Sequence, residues 1–240
     1  MSKKSKKTIK GIIILLIAIL IVNYQNEIST FINNIFKDNN SYSYAIDNML
    51  EYSGQKVIII NNNEPDFEED LKESKSFENY SELDYLGRCG VAIANIGLDL
   101  MPTEERGSIG MIKPSGWHTI KYDIVSGKYL YNRCHLIGYQ LTGEGANEKN
   151  LITCTREMNT EGMLEYENMV ADYIKETNNH VLYRATPVFD DNDLIAKGVQ
   201  LEALSVEDEG KGIKFNVFVY NVQDGIEIDY LTGESRIREE

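Results

Sequence analysis

Positive charge is scarce beyond residue 37. The chain carries −14 overall. Residues 1–37 hold six lysines against one glutamate, so the remainder carries −19. A surface that acidic repels a polyanion at long range. Nucleic-acid binding by global charge is thereby excluded, and any such contact needs divalent cations or a local basic cleft. Cysteine is nearly absent. Cys89, Cys134 and Cys154 form no CxxC pair, which argues against a zinc site. Outside the cell they allow either one disulfide with a free thiol or three buried thiols. Cys134 adjoins His135, but no second histidine stands in a context that would complete a thiol nucleophile. The 18 glycines and 4 prolines rule out collagen-like and low-complexity classes. There is no internal repeat. The one long apolar run, residues 11–22, is short for a membrane span: at ~1.5 Å per residue it gives about 18 Å of helix against a hydrocarbon core of about 30 Å.

What is present supports one folded domain with an N-terminal appendage. The hydrophobic fraction of 42% is ample for a core. Lys3, Lys4, Lys6, Lys7 and Lys10 precede the apolar run, as in a signal peptide, and these lysines would stay on the cytoplasmic side. Asn23-Tyr24-Gln25-Asn26 is a poor cleavage site, so an uncleaved anchor is equally open. Either case places the bulk of the chain outside the cell, secreted or held at the outer face of the membrane by residues 11–23. Residues 1–23 are therefore expected to be a signal or membrane helix, 24–41 a polar linker, and 42–240 the folded domain.

Within that domain the pattern mixes strands with one main helix, so α+β is expected, built on a central antiparallel sheet. Strands are predicted at Lys56–Ile60, Arg88–Leu98, Thr119–Ile124, Leu151–Thr155, Val181 to a stop near Pro187, Val199–Leu204 and Ile213–Asn221. Glu64–Glu78 reads as a solvated acidic loop with a short helix. Met158–Lys175 has helical spacing, ended by Asn178-Asn179.

The stretch that organises the chain is Tyr131-Asn132-Arg133-Cys134-His135-Leu136-Ile137-Gly138-Tyr139. Downstream stand Asn147, Asn150, Asn159 and Glu167. Taken singly, each has an ordinary role: a strand-end histidine, a helix N-cap for Asn159, a solvated helix residue for Glu167. His118 beside Trp117 reads as structural and His180 as part of a surface turn. The 15 tyrosines read as core and strand packing.

In this order and spacing, however, the residues resemble the DNA/RNA non-specific endonucleases of the ββα-metal superfamily, and in particular the secreted or surface-bound nucleases of streptococci. The likeness covers roughly residues 55–222. Its most specific parts are Asn132–Gly138, Asn147-Glu148-Lys149-Asn150-Leu151-Ile152, and Asn159 with Glu167 eight residues on. Leu100–Gly110 through Gly116-Trp117-His118 share it. The resemblance implies that His135 is the general base, that Asn159 binds a single catalytic Mg²⁺, with Mn²⁺ as a substitute, and that Glu167 serves the metal's outer shell. It implies site roles for Asn150, Arg133 and Arg106. Many members carry Asp-Arg-Gly-His, whereas this chain has Asn132 and Cys134; Asn132 keeps a hydrogen-bond acceptor but loses the charge. Asn132, Arg133 and Arg184 are candidate substrate contacts.

The chemistry is intelligible from the residues themselves. A neutral imidazole takes a proton from water near neutral pH. Mg²⁺ prefers oxygen ligands and keeps several waters, so one amide oxygen suffices from the protein. Arginine offers a planar fork matched to phosphate. The expected function is an exported, metal-dependent endonuclease acting on DNA, with RNA left open as a second substrate, and with little sequence preference. No protein partner is evident. A second reading, from the −19 charge and the Asn132 departure, is a surface-anchored, catalytically weak or inactive binding module of nuclease fold, whose acidic surface meets a cationic partner.

Overall fold

The structure, a computed structural model, describes residues 51–239. The 1–23 segment and the 24–41 linker lie outside those residues. Among the described residues no helix is long and apolar enough to cross a membrane.

Six strands form one antiparallel sheet in the order β1-β8-β7-β6-β3-β2: β1 Val57–Ile59, β2 Phe77–Tyr80, β3 Ala92–Ile96, β6 Val181–Val188, β7 Gly198–Ser205 and β8 Lys214–Tyr220. Alternation sorts their side chains onto two faces. Val181, Tyr183 and Ala185 of β6, Val199, Leu201 and Ala203 of β7, and Phe215, Val217 and Val219 of β8 share one buried apolar cluster. The intervening residues carry a polar network. Arg184 pairs with the buried Glu202 at 2.7 Å and donates to the Asp66 carbonyl at 2.6 Å, with its guanidinium over the Phe67 ring; Asn216 also reaches Glu202. This second face is covered by the acidic 64–73 loop.

The apolar face receives a ββα unit. Strands β4 (Tyr131–His135) and β5 (Leu151–Thr155) pair antiparallel as a separate ladder. Between them stands a short helix, α1 (Tyr139–Thr142). After β5 the chain is helical through a wide π-wound stretch, Met158–Met163, and then α2 (Leu164–Thr177), ended by Asn178 in the left-handed conformation. Met158, Met163, Val170, Ala171 and Ile174 bury themselves against the sheet, and Tyr166 meets Phe215 edge-on at 4.9 Å. Gly162 is required here, because a Cβ would collide with Val219 of β8. A disulfide joins Cys134 of β4 to Cys154 of β5, while Cys89 stays a buried free thiol whose pKa burial pushes up to about 12.

A smaller cluster of Val125, Leu130, Tyr131, Ile195 and Ile226, with Trp117, Tyr122 and Tyr230 against it, binds the 117–131 segment to the C-terminal hairpin of β9 (Ile226–Ile228) and β10 (Ser235–Ile237).

Two expectations need correction. Thr119–Ile124 is not a strand of the sheet. It folds back on itself through the single bridge Lys121–Tyr129, turning at Gly127 and Lys128, both at positive φ. β6, by contrast, ends at Val188, one residue past Pro187, as expected. β3 ends its pairing at Ala185, so the missing Pro187 N–H faces an open edge and forfeits no ladder bond. The acidic region also contains a strand, β2, which pairs Phe77–Tyr80 with Ala92–Asn95.

Candidate active site

One cleft of about 840 Å³ opens beside the β4–β5–helix unit. Among its lining residues are His135, Arg133, Asn132, Arg106, Asn159 and Glu167, joined by Arg156, Gln140, Trp117, Tyr129 and Tyr139. The segments 106–117, β4, α1 and the start of the helix each contribute to its walls.

His135 closes β4 with only 7% of its surface exposed. One ring nitrogen, Nε2, lies 2.8 Å from the Gly145 carbonyl oxygen. A carbonyl only accepts, so Nε2 carries the proton and Nδ1 is left with the lone pair. Burial holds the imidazole below its ordinary pKa of 6.5, against the opposite pull of the Gly145 carbonyl, and the Arg106 charge adds a smaller lowering. The ring is therefore neutral at pH 7 and able to accept a proton. Its deprotonated form persists to below pH 6.5, so the acid limb of kcat/KM is expected below that pH. Removing the Arg106 charge raises the ring's affinity for protons. In Arg106→Ala the limb is expected to move to higher pH, which a pH–rate profile of the two proteins reads directly.

Asn150 is placed differently from expectation. It is fully buried and does not line the cleft. Its Oδ1 accepts from the Ile137 N–H at 2.9 Å, and its Nδ2 donates to the Ile137 carbonyl at 3.0 Å. The side chain thus clips the chain just after His135 onto the start of β5. Asn150→Ala would orphan both buried backbone groups, so a loss of about 2–4 kcal/mol in unfolding free energy is expected from denaturant titration.

Arg133 lines the cleft, but its guanidinium is largely engaged. Nε donates to the Ile112 carbonyl, Nη2 donates to the Gly110 carbonyl at 2.9 Å, and the plane stacks on Trp117 at 3.9 Å. It anchors the loop that carries Arg106. Arg184 is not at the cleft at all. It stands at the opposite parity from Tyr183 on β6, on the far face of the sheet, paired with Glu202.

Asn159 lies in the first helical turns. Thr155, not Asn159, supplies the cap: its hydroxyl accepts from the Met158 N–H at 3.1 Å. The Asn159 amide makes no side-chain hydrogen bond among the described residues and faces the cleft. The π-wound backbone here is an uncommon geometry that recurs at functional sites. Glu167 packs against Gly138, where a Cβ would overlap its carboxylate, so the strand end can lie this close only because residue 138 is glycine. Burial pushes the Glu167 pKa up to about 7, offset in part by a hydrogen bond from Gln140.

His118 and His180 stand apart from this constellation. The first contacts the Thr232 carbonyl at 3.1 Å, and the second meets Glu207 at 2.6 Å.

Among the described residues no group of three His, Cys, Asp or Glu side chains could hold a metal. The cleft instead offers the Asn159 amide oxygen, which no hydrogen bond engages among the described residues, and the Glu167 carboxylate. That is a poor set for a structural zinc but suits a hard divalent cation that retains its waters.

The electrostatics answer the charge problem. Arg106, Arg133 and Arg156 all line the cleft, and among the described residues none forms an ion pair with a carboxylate, whereas Arg88, Arg184 and Arg236 do. Among the described residues, Glu167 is the only acidic one in the lining. The domain is acidic, yet its cleft is basic. Arg156 was not anticipated from the sequence; its signal was its position three residues before Asn159, on the same side of a helix.

Residues 69–207 match the family model described as DNA/RNA non-specific endonuclease. Among solved structures, NucA from Streptococcus agalactiae with magnesium ion bound is 26% identical, with a TM-score of 0.68 over 76% of this chain and 88% of that one. The same protein with no metal bound gives 27% identity and a TM-score of 0.67 over 76% and 87%. Sda1 nuclease with bound zinc ion is 30% identical, with a TM-score of 0.57 over 68% and 81%. With the family model spanning more than half of its length, the chain belongs to the DNA/RNA non-specific endonuclease family.

Proposed function

We propose that the protein is a Mg²⁺-dependent endonuclease that hydrolyses phosphodiester bonds of DNA and RNA without sequence preference, with His135 as general base. The observation that carries this reading is the neutral imidazole of His135 in a cleft walled by three arginines free of carboxylate partners. His135 Nδ1 takes a proton from water, whose oxygen attacks phosphorus. The bond from phosphorus to the leaving oxygen breaks and that oxygen takes a proton from solvent water, leaving one phosphomonoester end and one hydroxyl end. The Gly145 carbonyl keeps Nε2 protonated and the ring fixed throughout. Arg106 contributes charge to the phosphate and, through the same field, keeps the base unprotonated.

Asn159 would hold the divalent cation through its amide oxygen, with Glu167 orienting the outer shell and Gln140 steadying Glu167. Such a cation, when bound, supplies Lewis-acid charge at the phosphate and eases departure of the leaving oxygen. In the solved relatives magnesium is bound by NucA and zinc by Sda1, which supports a divalent ion here and favours Mg²⁺ on donor chemistry. Contacts to phosphates rather than base edges explain the expected indifference to sequence.

Export is part of the proposal. It rests on the lysine-led apolar run at 11–22, read as a signal or as an anchor through residue 23, and gains support from the Cys134–Cys154 disulfide, since such bonds persist in oxidising compartments. The test is digestion of plasmid DNA and of a structured RNA by the purified chain with Mg²⁺. Digestion that stops with chelator and resumes on adding Mg²⁺ is expected. A folded chain that binds DNA but never cuts it, with any divalent cation, would make it an inactive module of the same fold.

A further inference from the structure

Arg156 lines the cleft, and the mechanism above gives it no task. Its Nη1 donates to Asn132 Oδ1 at 3.3 Å. A guanidinium can only donate, so the Asn132 amide has one sensible orientation, with oxygen towards Arg156 and the NH₂ turned away. That NH₂ is buried with no acceptor among the described residues, and so is Arg156 Nε. Two buried donors from neighbouring side chains therefore lack an acceptor, beside a cation that no carboxylate neutralises. Groups of this kind carry a desolvation penalty unless an acceptor completes them. Both residues are locally fixed. Asn132 sits in the β4 ladder opposite Cys154, and the Arg156 N–H donates to the Leu130 carbonyl at 2.8 Å. Asn132 also lies three residues before His135, about 10 Å along an extended strand. An anion held there is not the one that His135 faces.

We propose that Arg156 and Asn132 form a second phosphate subsite, which grips a non-scissile phosphate of the substrate strand and sets its register across His135. The proposal rests on the nuclease reading for its ligand. It accounts for Asn132 in place of a charged residue: an aspartate would neutralise Arg156, whereas the amide orients it and leaves its charge available to phosphate.

The test is binding by the full chain, read as Kd by fluorescence anisotropy of a labelled duplex in chelator, so that turnover does not enter. Arg156→Gln is expected to raise Kd about tenfold, the range of a hydrogen bond to a charged group. The slope of log Kd against log salt should fall by about one phosphate contact. Duplexes carrying one neutral methylphosphonate at successive positions should identify one position that weakens wild-type binding and leaves Arg156→Gln binding unaffected. Arg156→Lys keeps the charge, so it should retain the wild-type slope while binding less tightly than wild type. If Arg156→Gln proves unstable by thermal melt, the Arg156→Lys slope and methylphosphonate pattern decide instead. Unchanged Kd and slope in a folded Arg156→Gln protein would overturn the subsite, and so would a methylphosphonate profile identical to wild type. The two readings separate cleanly: a wild-type protein that binds through Arg156 but never cuts keeps the subsite and loses the nuclease, while one that cuts and is indifferent to Arg156 does the reverse.

Discussion

His135→Ala is expected to lower kcat by about 10²–10⁴-fold, the usual contribution of a positioned general base. Substrate affinity and the divalent-cation requirement should stay near wild type. The geometry gives the reason. The ring is one of very few groups in the cleft able to accept a proton at neutral pH: a guanidinium only donates, Asn132, Asn159 and Gln140 do not titrate, and burial pushes the Glu167 pKa up to about 7. Loss of the imidazole leaves the arginines and the amide of Asn159 in place, so binding outlasts turnover. The fold should survive, since the His135 ring makes one hydrogen bond to the Gly145 carbonyl and β4 is held by its ladder with β5 and by the Cys134–Cys154 bond. Steady-state kinetics alongside a thermal melt measure both. A kcat within threefold of wild type would remove His135 from the chemistry.

Asn159→Ala is the second large effect. With the only unengaged amide oxygen at the helix start removed, the concentration of Mg²⁺ needed for half-maximal rate should rise by at least tenfold, and kcat at saturating Mg²⁺ should fall by about 10²–10³, as befits a Lewis acid worth several kcal/mol. Because Thr155 rather than Asn159 caps the helix, the substitution should leave thermal stability nearly unchanged. That separation matters. Had Asn159 been the cap, its loss would cost about 1 kcal/mol and confuse stability with catalysis. A titration of rate against Mg²⁺ at fixed substrate reads the effect. An Asn159→Ala protein with wild-type Mg²⁺ dependence would place the metal elsewhere.

Much of this arrangement could be read from the residues. The β-branched and aromatic runs became β1, β3, β5, β7 and β8, and the 3.6 spacing after Met158 became the helix, because both patterns report directly on which faces are buried. The errors have physical causes too. Arg184 looked like a cleft arginine because strand parity was unknown; one step along β6 separates the face toward α2 from the face toward the acidic loop. Asn150 was rightly marked as special, yet its amide serves the backbone at Ile137, a role that depends on two segments 13 residues apart being brought together. Arg156 went unnoticed because its meaning lies in what it lacks, a carboxylate partner, and that cannot be seen before the chain is folded. The same holds for the basic cleft inside an acidic domain: composition sums charge, whereas the fold distributes it.

Chemical rescue tests the central claim most directly. His135→Gly, assayed on plasmid with Mg²⁺, should be nearly inactive and should regain rate in proportion to added imidazole, with the gain following the neutral form of imidazole as pH rises. A folded His135→Gly protein that cuts at the wild-type rate without imidazole would contradict the account.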